Sequence, residues 1–280
     1  MKKILLTGST GFIGSSILNE LSKKYKIICL NRRKIKKSDK CKNIYFTTFK
    51  NLNSKLKKIQ VDTVIHCATH YVKYHKTSDL RKLSEANILF GNIILENLDK
   101  MKVKNFINFS TVWENYDGIK DNYFNLYAVY KRSFTELLKY YEKILPKVNF
   151  YNLFISDTFG KKDKRHKIIN VLKNNYKNNK NTKIISSKLN LNLLNTNDIV
   201  NSISVILKNK NKPGQYNLVN TKNYSITNII NMINKESDKK IKVKWLNNKL
   251  IKQRIFKYKK LIGWYPKKSS IHDIISVIKS

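Results

Sequence analysis

Apolar residues in this chain gather in short blocks, separated by longer stretches in which they recur at helical spacing. The blocks Lys2 to Thr7, Lys26 to Asn31, Asn43 to Phe49, Val61 to Cys67, Asn105 to Ser110 and Asn149 to Ser156 predict six strands. Between the first two, Ile17, Leu18 and Leu21 line one face of a helix over Ser15 to Tyr25. Further helices are predicted from about Ser78 to Met101 and from about Asn125 to Ile144. Strand and helix alternate in this way only when parallel strands are joined by crossover helices, so the pattern predicts an α/β fold with a doubly wound parallel sheet. Later elements are shorter: a helix Asp198 to Leu207, a strand Gln215 to Val219 and a helix Ile226 to Ile233. They predict a smaller C-terminal α/β lobe. Residues 1–160, joined by about 195–222, form the predicted main domain, and 161–194 with 223–280 the lobe. The Lys/Asn run Lys173 to Lys183 reads as a solvated helix end and loop.

The first strand runs into Thr7-Gly8-Ser9-Thr10-Gly11-Phe12-Ile13-Gly14, and this stretch changes the picture from architecture to ligand. Glycines at 8, 11 and 14 allow a tight strand-to-helix turn, close approach of backbone to a pyrophosphate, and close packing of the next helix on its strand. The phosphates then lie at a helix N-terminus, whose free N–H groups and dipole favour anions. Such a loop between a strand and an amphipathic helix predicts a Rossmann-like, dinucleotide-binding fold. The end of the second strand bears on which dinucleotide. An acidic residue there suits the ribose hydroxyls of NAD, whereas arginine suits a 2′-phosphate. The chain has Asn31-Arg32-Arg33, which favours NADP over NAD.

Composition narrows this little. The 280 residues carry a net charge of +39, yet the excess is nearly all lysine, spread over every segment among many asparagines. Arginine occurs only at Arg32, Arg33, Arg81, Arg132, Arg165 and Arg254. A coding sequence rich in A and T produces this pattern on solvated faces, so no nucleic-acid partner is inferred. No apolar run is long enough to cross a bilayer, so no membrane partner is inferred either. A strand directly after Met-Lys-Lys leaves no room for a signal peptide, and the expected location is cytoplasmic. Cys29, Cys41 and Cys67 lack metal-ligand spacing and read as reduced structural thiols. His66, His70 and His75 read as hydrogen-bonded scaffold, with no metal expected. Tyr140, Tyr141 and Phe154 read as core, while Trp113 fits either a ligand pocket or plain packing.

Candidate chemistry sits in Tyr127-Ala-Val-Tyr-Lys131. A Tyr and a Lys at i and i+4 share a helix face and can reach one ligand. A neighbouring ammonium lowers a phenol's pKa from about 10, which suits proton exchange with a carbonyl or alcohol oxygen. The fifth strand ends in Ser110-Thr111, and a hydroxyl there would meet the same oxygen.

Taken together, the glycine loop, Ser110-Thr111, the Tyr127/Lys131 pair and Gly263-Trp264-Tyr265-Pro266 resemble the extended short-chain dehydrogenase/reductases of the NAD-dependent epimerase/dehydratase family that act on nucleotide sugars. Within it, His66-Cys-Ala-Thr-His-Tyr71, Glu85-Ala-Asn87-Ile-Leu-Phe-Gly91, Asn125 to Lys131 and Asp157 to Arg165 are similar to the reductases making CDP-abequose and CDP-paratose. The resemblance implies that Tyr127 is the acid/base, Lys131 the residue binding the nicotinamide ribose and activating the tyrosine, and Thr111 the hydroxyl polarising the substrate oxygen. It places Gly8, Gly11, Phe12, Ile13 and Gly14 on the pyrophosphate and Ala68 on the cofactor. The main domain would bind NADP, the lobe a nucleotide-diphosphate deoxysugar, and two subunits would pair as a homodimer. The implied reaction is NADPH-dependent reduction of a 4-keto group, in surface polysaccharide biosynthesis. A 4,6-dehydratase needs an Asp-Glu pair directly after the threonine, where this chain has Val112-Trp113. A 4-epimerase uses the same Tyr, Lys and hydroxyl. A non-catalytic NADP-binding regulator on the same fold is the alternative outside enzymes. The clamping arginine that relatives carry upstream of the Gly-Trp-x-Pro segment has no clean counterpart, since Arg254 lies too close to it.

Overall fold

A computed structural model of the chain describes residues 1–34, 38–208 and 211–280. Residues 35–37 and 209–210, which fall inside the predicted main domain and the segment joining it, lie outside the described residues. Eight strands form one sheet: β1 (Lys3–Thr7), β2 (Lys26–Asn31), β3 (Lys42–Tyr45), β4 (Thr63–His66), β5 (Asn105–Thr111), β6 (Asn149–Ile155), β7 (Gly214–Leu218) and β8 (Lys259–Lys260). Their order is β8-β7-β6-β5-β4-β1-β2-β3, and every pairing is parallel. The helices are α1 (Phe12–Leu21), α2 (Phe49–Leu56), α3 (Leu80–Ser84), α4 (Phe90–Leu95), α5 (Leu126–Ile144), α6 (Ile168–Lys177), α7 (Thr196–Leu207), α8 (Ile226–Glu236) and α9 (Ile271–Lys279).

Side chains alternate across a strand, and β1 feeds both faces of the sheet accordingly. Ile4 and Leu6 join Ile17 and Leu21 of α1 and Ile199, Ile203 and Ile206 of α7. Leu5 points the other way, into a cluster with Leu52 and Leu56 of α2, Ile94 of α4 and Phe134 and Leu138 of α5. With both faces covered, the central strands carry almost no solvated position, which is why they read as apolar blocks. Each such side chain contributes about 1.5–3 kcal/mol by leaving water. A third cluster unites Leu172 of α6, Ile229 and Ile230 of α8 and Ile274 of α9 with Phe159 and Leu193. It is built almost wholly from residues beyond β6, and short strands such as Leu189–Leu191 and Val243–Trp245 complete that part of the chain.

The strand order reverses direction between β1 and β4. In sheets wound this way the ligand crevice opens outside the carboxyl ends of those strands. The loops there follow β1 (the glycine loop), β4 (Cys67 to Tyr71), β5 (Val112 to Phe124) and β6 (Ser156 to Lys167).

Several elements depart from the sequence expectation. Helix α1 begins at Phe12 rather than Ser15, because Gly11 in extended conformation already acts as its N-cap. The third strand stops at Tyr45, and Phe49 instead opens α2, whose first turn Thr48 caps by accepting from the Asn51 N–H at 3.1 Å. The helix expected over residues 78–101 ends at Leu95 and has a π turn, Glu85–Leu89, between α3 and α4. Helix α6 continues through the Lys/Asn run as far as Lys177 before the chain turns. Phe154 and Tyr141 are core as expected, but Tyr140 is 56% exposed. The Gly-Trp-x-Pro segment is tied to α7: the Trp264 indole donates to the Asp198 carbonyl at 2.8 Å, and the Asp198 carboxylate accepts from the Lys267 and Lys268 N–H groups and the Ser269 hydroxyl.

Candidate active site

The glycine loop is held from two sides. The buried Thr7 hydroxyl accepts from the Cys67 and Ala68 N–H groups, each at 3.1 Å, and bonds His66 Nδ1 at 3.1 Å. The Ser9 hydroxyl donates to Asn31 Oδ1 at 3.0 Å, tying the loop to the end of β2. Gly8 adopts φ +66°, and a Cβ there would stand 2.7 Å from the Ala68 nitrogen. At Gly14 a Cβ would stand 2.1 Å from the Gly8 carbonyl oxygen. Only glycine fits either place, so the loop lies flat against the turn after β4. No side chain caps the N-terminus of α1. A cradle of backbone N–H groups at an uncapped helix start suits the pyrophosphate of a dinucleotide. Gly8, Ser9, Gly11, Gly14, Asn31 and Ala68 are thus brought together, with Phe12 and Ile13 opening α1. Thr10, Arg32 and Arg33 are exposed, and neither arginine forms an ion pair among the described residues.

Thr111, Tyr127 and Lys131 also reach the crevice. Thr111 ends β5 and is buried, its hydroxyl accepting from the Trp113 N–H at 3.3 Å. Helix α5 starts immediately beyond Asn125, whose side chain caps it by accepting from the Ala128 N–H. Tyr127 is therefore in the first turn and Lys131 in the second. Lys131 is only 4% exposed, and burial drives its ammonium down to about 8 against the opposing pull of Glu114. Burial pushes the Tyr127 phenol up to about 12, while its hydrogen bond with Thr69 pulls the other way. That rise is opposite to the direction expected from a neighbouring ammonium: burial dominates, and the groups acting on the phenol are Thr69, Glu114 and Arg165. At neutral pH the phenol holds its proton.

Of the next residues of this crevice, sequence reasoning weighed Trp113 as a pocket residue and gave no individual role to the others, because they meet only through loops distant in the chain. Tyr71 lies edge-on to Tyr127 with centroids 5.1 Å apart, and its other neighbour is Trp113 at 5.8 Å. The Lys167 ammonium stands 4.1 Å from the Trp113 ring centre and 4.7 Å from that of Tyr71, and pairs with Asp157 at 3.3 Å. Arg165 lies over the Phe12 ring at 4.2 Å and pairs with Asp163. Two buried polar atoms at these strand ends, His70 Nε2 and Ser156 Oγ, have no hydrogen-bond partner among the described residues. Asn87, in the π turn, fixes the loop that carries His70 by accepting from the Thr69 hydroxyl and the His70 N–H and donating to the His70 carbonyl.

Glu114 is the other unforeseen residue. It is fully buried, accepts from the Thr135 hydroxyl at 3.2 Å on both oxygens and from Ser110, and burial raises its carboxyl to about 8. His66, beneath the loop, is held neutral by burial, its pKa lowered to about 3. Among the described residues no three His, Cys, Asp or Glu side chains cluster as metal ligands, and no helix is long and apolar enough to cross a membrane. Cys29 is buried, Cys41 and Cys67 are partly so, and all three are free thiols. A cavity of about 530 Å³ opens at the amino ends of β1 to β3, lined by Lys3, Lys26, Lys42 and Lys58. It lies at the opposite end of the strands from the glycine loop, and Tyr25, Ile28 and Ile59 line it beside the lysines.

Against known proteins, residues 4–219 match the family described as NAD dependent epimerase/dehydratase family. The chain is 29% identical over 253 residues to CDP-abequose synthase of Salmonella muenchen, covering 87% of this chain and 84% of that protein. It is 30% identical over 220 residues to CDP-abequose synthase of Yersinia pseudotuberculosis, covering 76% of this chain and 75% of that one. In fold it is similar to UDP-glucuronic acid 4-epimerase from Bacillus cereus, solved in complex with NAD, with a TM-score of 0.83, 23% identity, and 99% and 98% of the two chains covered.

Proposed function

Since the chain belongs to the NAD dependent epimerase/dehydratase family, we propose that it is an NADPH-dependent reductase of the 4-keto group of a CDP-linked deoxysugar such as a 4-dehydro-3,6-dideoxyhexose. The observation that carries this reading is one protonated phenol in the crevice, Tyr127, beside a buried lysine and the Thr111 hydroxyl, while the carboxylates described there, Asp157 and Asp163, are engaged by Lys167 and Arg165. Val112 and Trp113 occupy the positions after Thr111, and the nearest carboxyl in that loop, Glu114, is locked under it by Ser110 and Thr135. Elimination needs an acid and a base, whereas ketone reduction needs one proton. Similarity to the two CDP-abequose synthases over three quarters or more of the chain supports the sugar class.

The glycine cradle holds the pyrophosphate, and Arg32 and Arg33 bind the 2′-phosphate as bidentate donors. Bound there, the cofactor supplies the hydride. Lys131 holds the nicotinamide ribose and keeps positive charge near Tyr127. The Thr111 hydroxyl donates to the substrate oxygen, and this bond strengthens as negative charge gathers on it. Tyr127 gives up its phenolic proton to that oxygen, and Tyr71 and Trp113 wall off water on the far side. Residues 161–194 and 223–280 receive the nucleotide of the sugar. The protein is expected to act in the cytoplasm as a homodimer, in making surface polysaccharide; the exposed Tyr140 and Ile144 on α5 support a helix-to-helix pairing.

The test is to incubate the protein with NADPH and a CDP-linked 4-keto-dideoxyhexose and follow reduced-cofactor absorbance. Stoichiometric consumption is expected. A 4-epimerase would interconvert a CDP- or UDP-hexose with its cofactor retained and no net consumption, and that result would replace the present reading. CDP-glucose should be returned unchanged; a 4-keto-6-deoxy product in the mass spectrum would contradict the absence of a second acid/base. Cofactor choice is tested separately: NADPH should bind more tightly than NADH, and Arg32→Asp should narrow or reverse the ratio. Equal dissociation constants in the unmodified protein would remove the role given to Arg32 and Arg33.

A further inference from the structure

Arg165 has no role in the chemistry above, yet it is held against the glycine loop from several sides. It belongs to the loop between β6 and α6, and its carbonyl accepts from the Lys167 N–H and the Asn170 amide, each at 2.8 Å, which fixes its backbone at the foot of α6. A guanidinium carries five N–H donors in a rigid fork. Here Nε donates to one oxygen of Asp163 and Nη2 to the other, both at 2.8 Å, and Nη2 donates again to the Thr158 hydroxyl and carbonyl at 2.9 and 3.0 Å. Asp163 is itself buried and accepts from the Arg165 N–H at 3.0 Å, so the carboxylate that aims the guanidinium is fixed in its turn. The remaining two donors, on Nη1, have no partner among the described residues.

The guanidinium lies over the Phe12 ring, 4.2 Å from its centre. Phe12 opens α1 directly after Gly11, and its ring also lies against Gly160, where a Cβ would stand 3.2 Å away. Phe12 therefore joins the glycine cradle to the loop after β6, and Arg165 stands at that junction with its side chain 37% exposed. Its charge also lowers the Tyr71 and Tyr127 phenols against the larger effect of burial, so it faces the crevice and not the outer surface. A pyrophosphate brings two negative charges, whereas a helix N-terminus offers the equivalent of about half a positive one. A guanidinium edge matches phosphate oxygens in both charge and geometry.

We propose that Arg165 binds the pyrophosphate of the dinucleotide, its Nη1 edge adding a full positive charge to the partial charges of the glycine cradle. This rests on the reading of the glycine loop as the cofactor's cradle and not on which sugar is reduced. Asp163, Thr158 and Phe12 are the positioning groups: they order the guanidinium before the ligand arrives, so that little side-chain freedom remains to be lost on binding.

The experiment is an NADPH fluorescence titration of the full chain with no sugar present, comparing the unmodified protein with Arg165→Gln. Displacement of NADPH by adenosine 2′-monophosphate, which has the phosphorylated ribose but no pyrophosphate, is measured on both proteins, and CDP is titrated by calorimetry. The NADPH dissociation constant should rise by about 10- to 100-fold, the range of one hydrogen bond to a charged group, while that of adenosine 2′-monophosphate stays the same. Arg165→Lys, which restores the charge without the fork, should recover part of the loss. Equal NADPH constants would overturn the proposal. So would an equal weakening of NADPH and adenosine 2′-monophosphate, the mark of a merely structural role, or a loss for CDP with NADPH untouched, which would give the guanidinium to the sugar nucleotide instead. If Arg165→Gln does not fold because Asp163 is left buried without its partner, the double variant Arg165→Met with Asp163→Asn removes both charges together and is judged by the same outcomes. An unmodified protein that binds no NADPH would overturn the cradle reading and this proposal with it, whereas binding that the substitutions leave unchanged overturns the proposal alone.

Discussion

Replacing Tyr127 by Phe is expected to leave a folded, NADPH-binding protein whose turnover is lower by about 10²–10⁴, the usual worth of a positioned general acid. In free energy this is about 3–5 kcal/mol of barrier. The substitution removes one hydroxyl from a ring otherwise held by Tyr71 at 5.1 Å, so the packing that shapes the crevice stays. The phenol, raised to about 12 by burial, keeps its proton across the neutral range. Its own titration therefore sets no limb of the pH–rate profile between pH 6 and 9. The alkaline limb is expected near 8, where Lys131 gives up its proton. The check is a single-turnover absorbance measurement on Tyr127→Phe, with NADPH binding followed separately by fluorescence. Reduction at close to the original rate by a folded, cofactor-bound variant would remove Tyr127 from the chemistry.

A second large effect is expected at Gly14, with Gly11 as its control. A methyl group at Gly14 would lie 2.1 Å from the Gly8 carbonyl oxygen, which is backbone and cannot swing aside, whereas at Gly11 the same oxygen would be 3.2 Å away. Gly14→Ala must push the loop off the turn after β4, opening the contacts of Thr7 with the Cys67 and Ala68 N–H groups. Overpacking alone costs about 1–3 kcal/mol. NADPH binding should become undetectable in Gly14→Ala and persist, weakened, in Gly11→Ala. Thermal unfolding and fluorescence titration of both variants decide it; equal affinities would mean that the loop is not the phosphate cradle.

Much of this was legible in the chain because its signals are local. The central strands show as apolar blocks since both their faces are covered. Gly8, Gly11 and Gly14 act within one turn, and Tyr127 and Lys131 share a helix face by spacing alone. What stayed hidden depends on distance. Helix α2 has only Phe49, Leu52 and Leu56 as apolar residues in a run of lysine and asparagine, too few for a periodicity to show. The Ser270/Asp273 capping box ahead of α9 was a readable signal that went unused. Glu114 looked like a loop residue, because the hydroxyl that fixes it belongs to Thr135 on the next helix. Lys167 carries no local signal of its place: only the fold pairs it with Asp157 and sets it against Trp113 and Tyr71. The phenol's direction of shift was misjudged for a related reason: a sequence shows that a lysine is near, but not how deeply both groups are buried.

The Tyr258 ring lies flat on Phe154 of β6, 3.9 Å between centres, and its hydroxyl accepts from Asn115 in the loop that carries Trp113 and Glu114. That contact spans 143 residues of sequence. During synthesis, the first six strands leave the ribosome well before Tyr258 is joined to the chain, and domains assemble in the order in which they emerge. The nascent sheet must therefore wait with the loop of Trp113 and Glu114 unfastened and the Phe154 ring uncovered. That wall of the crevice is fastened only once Tyr258 has been added to the chain.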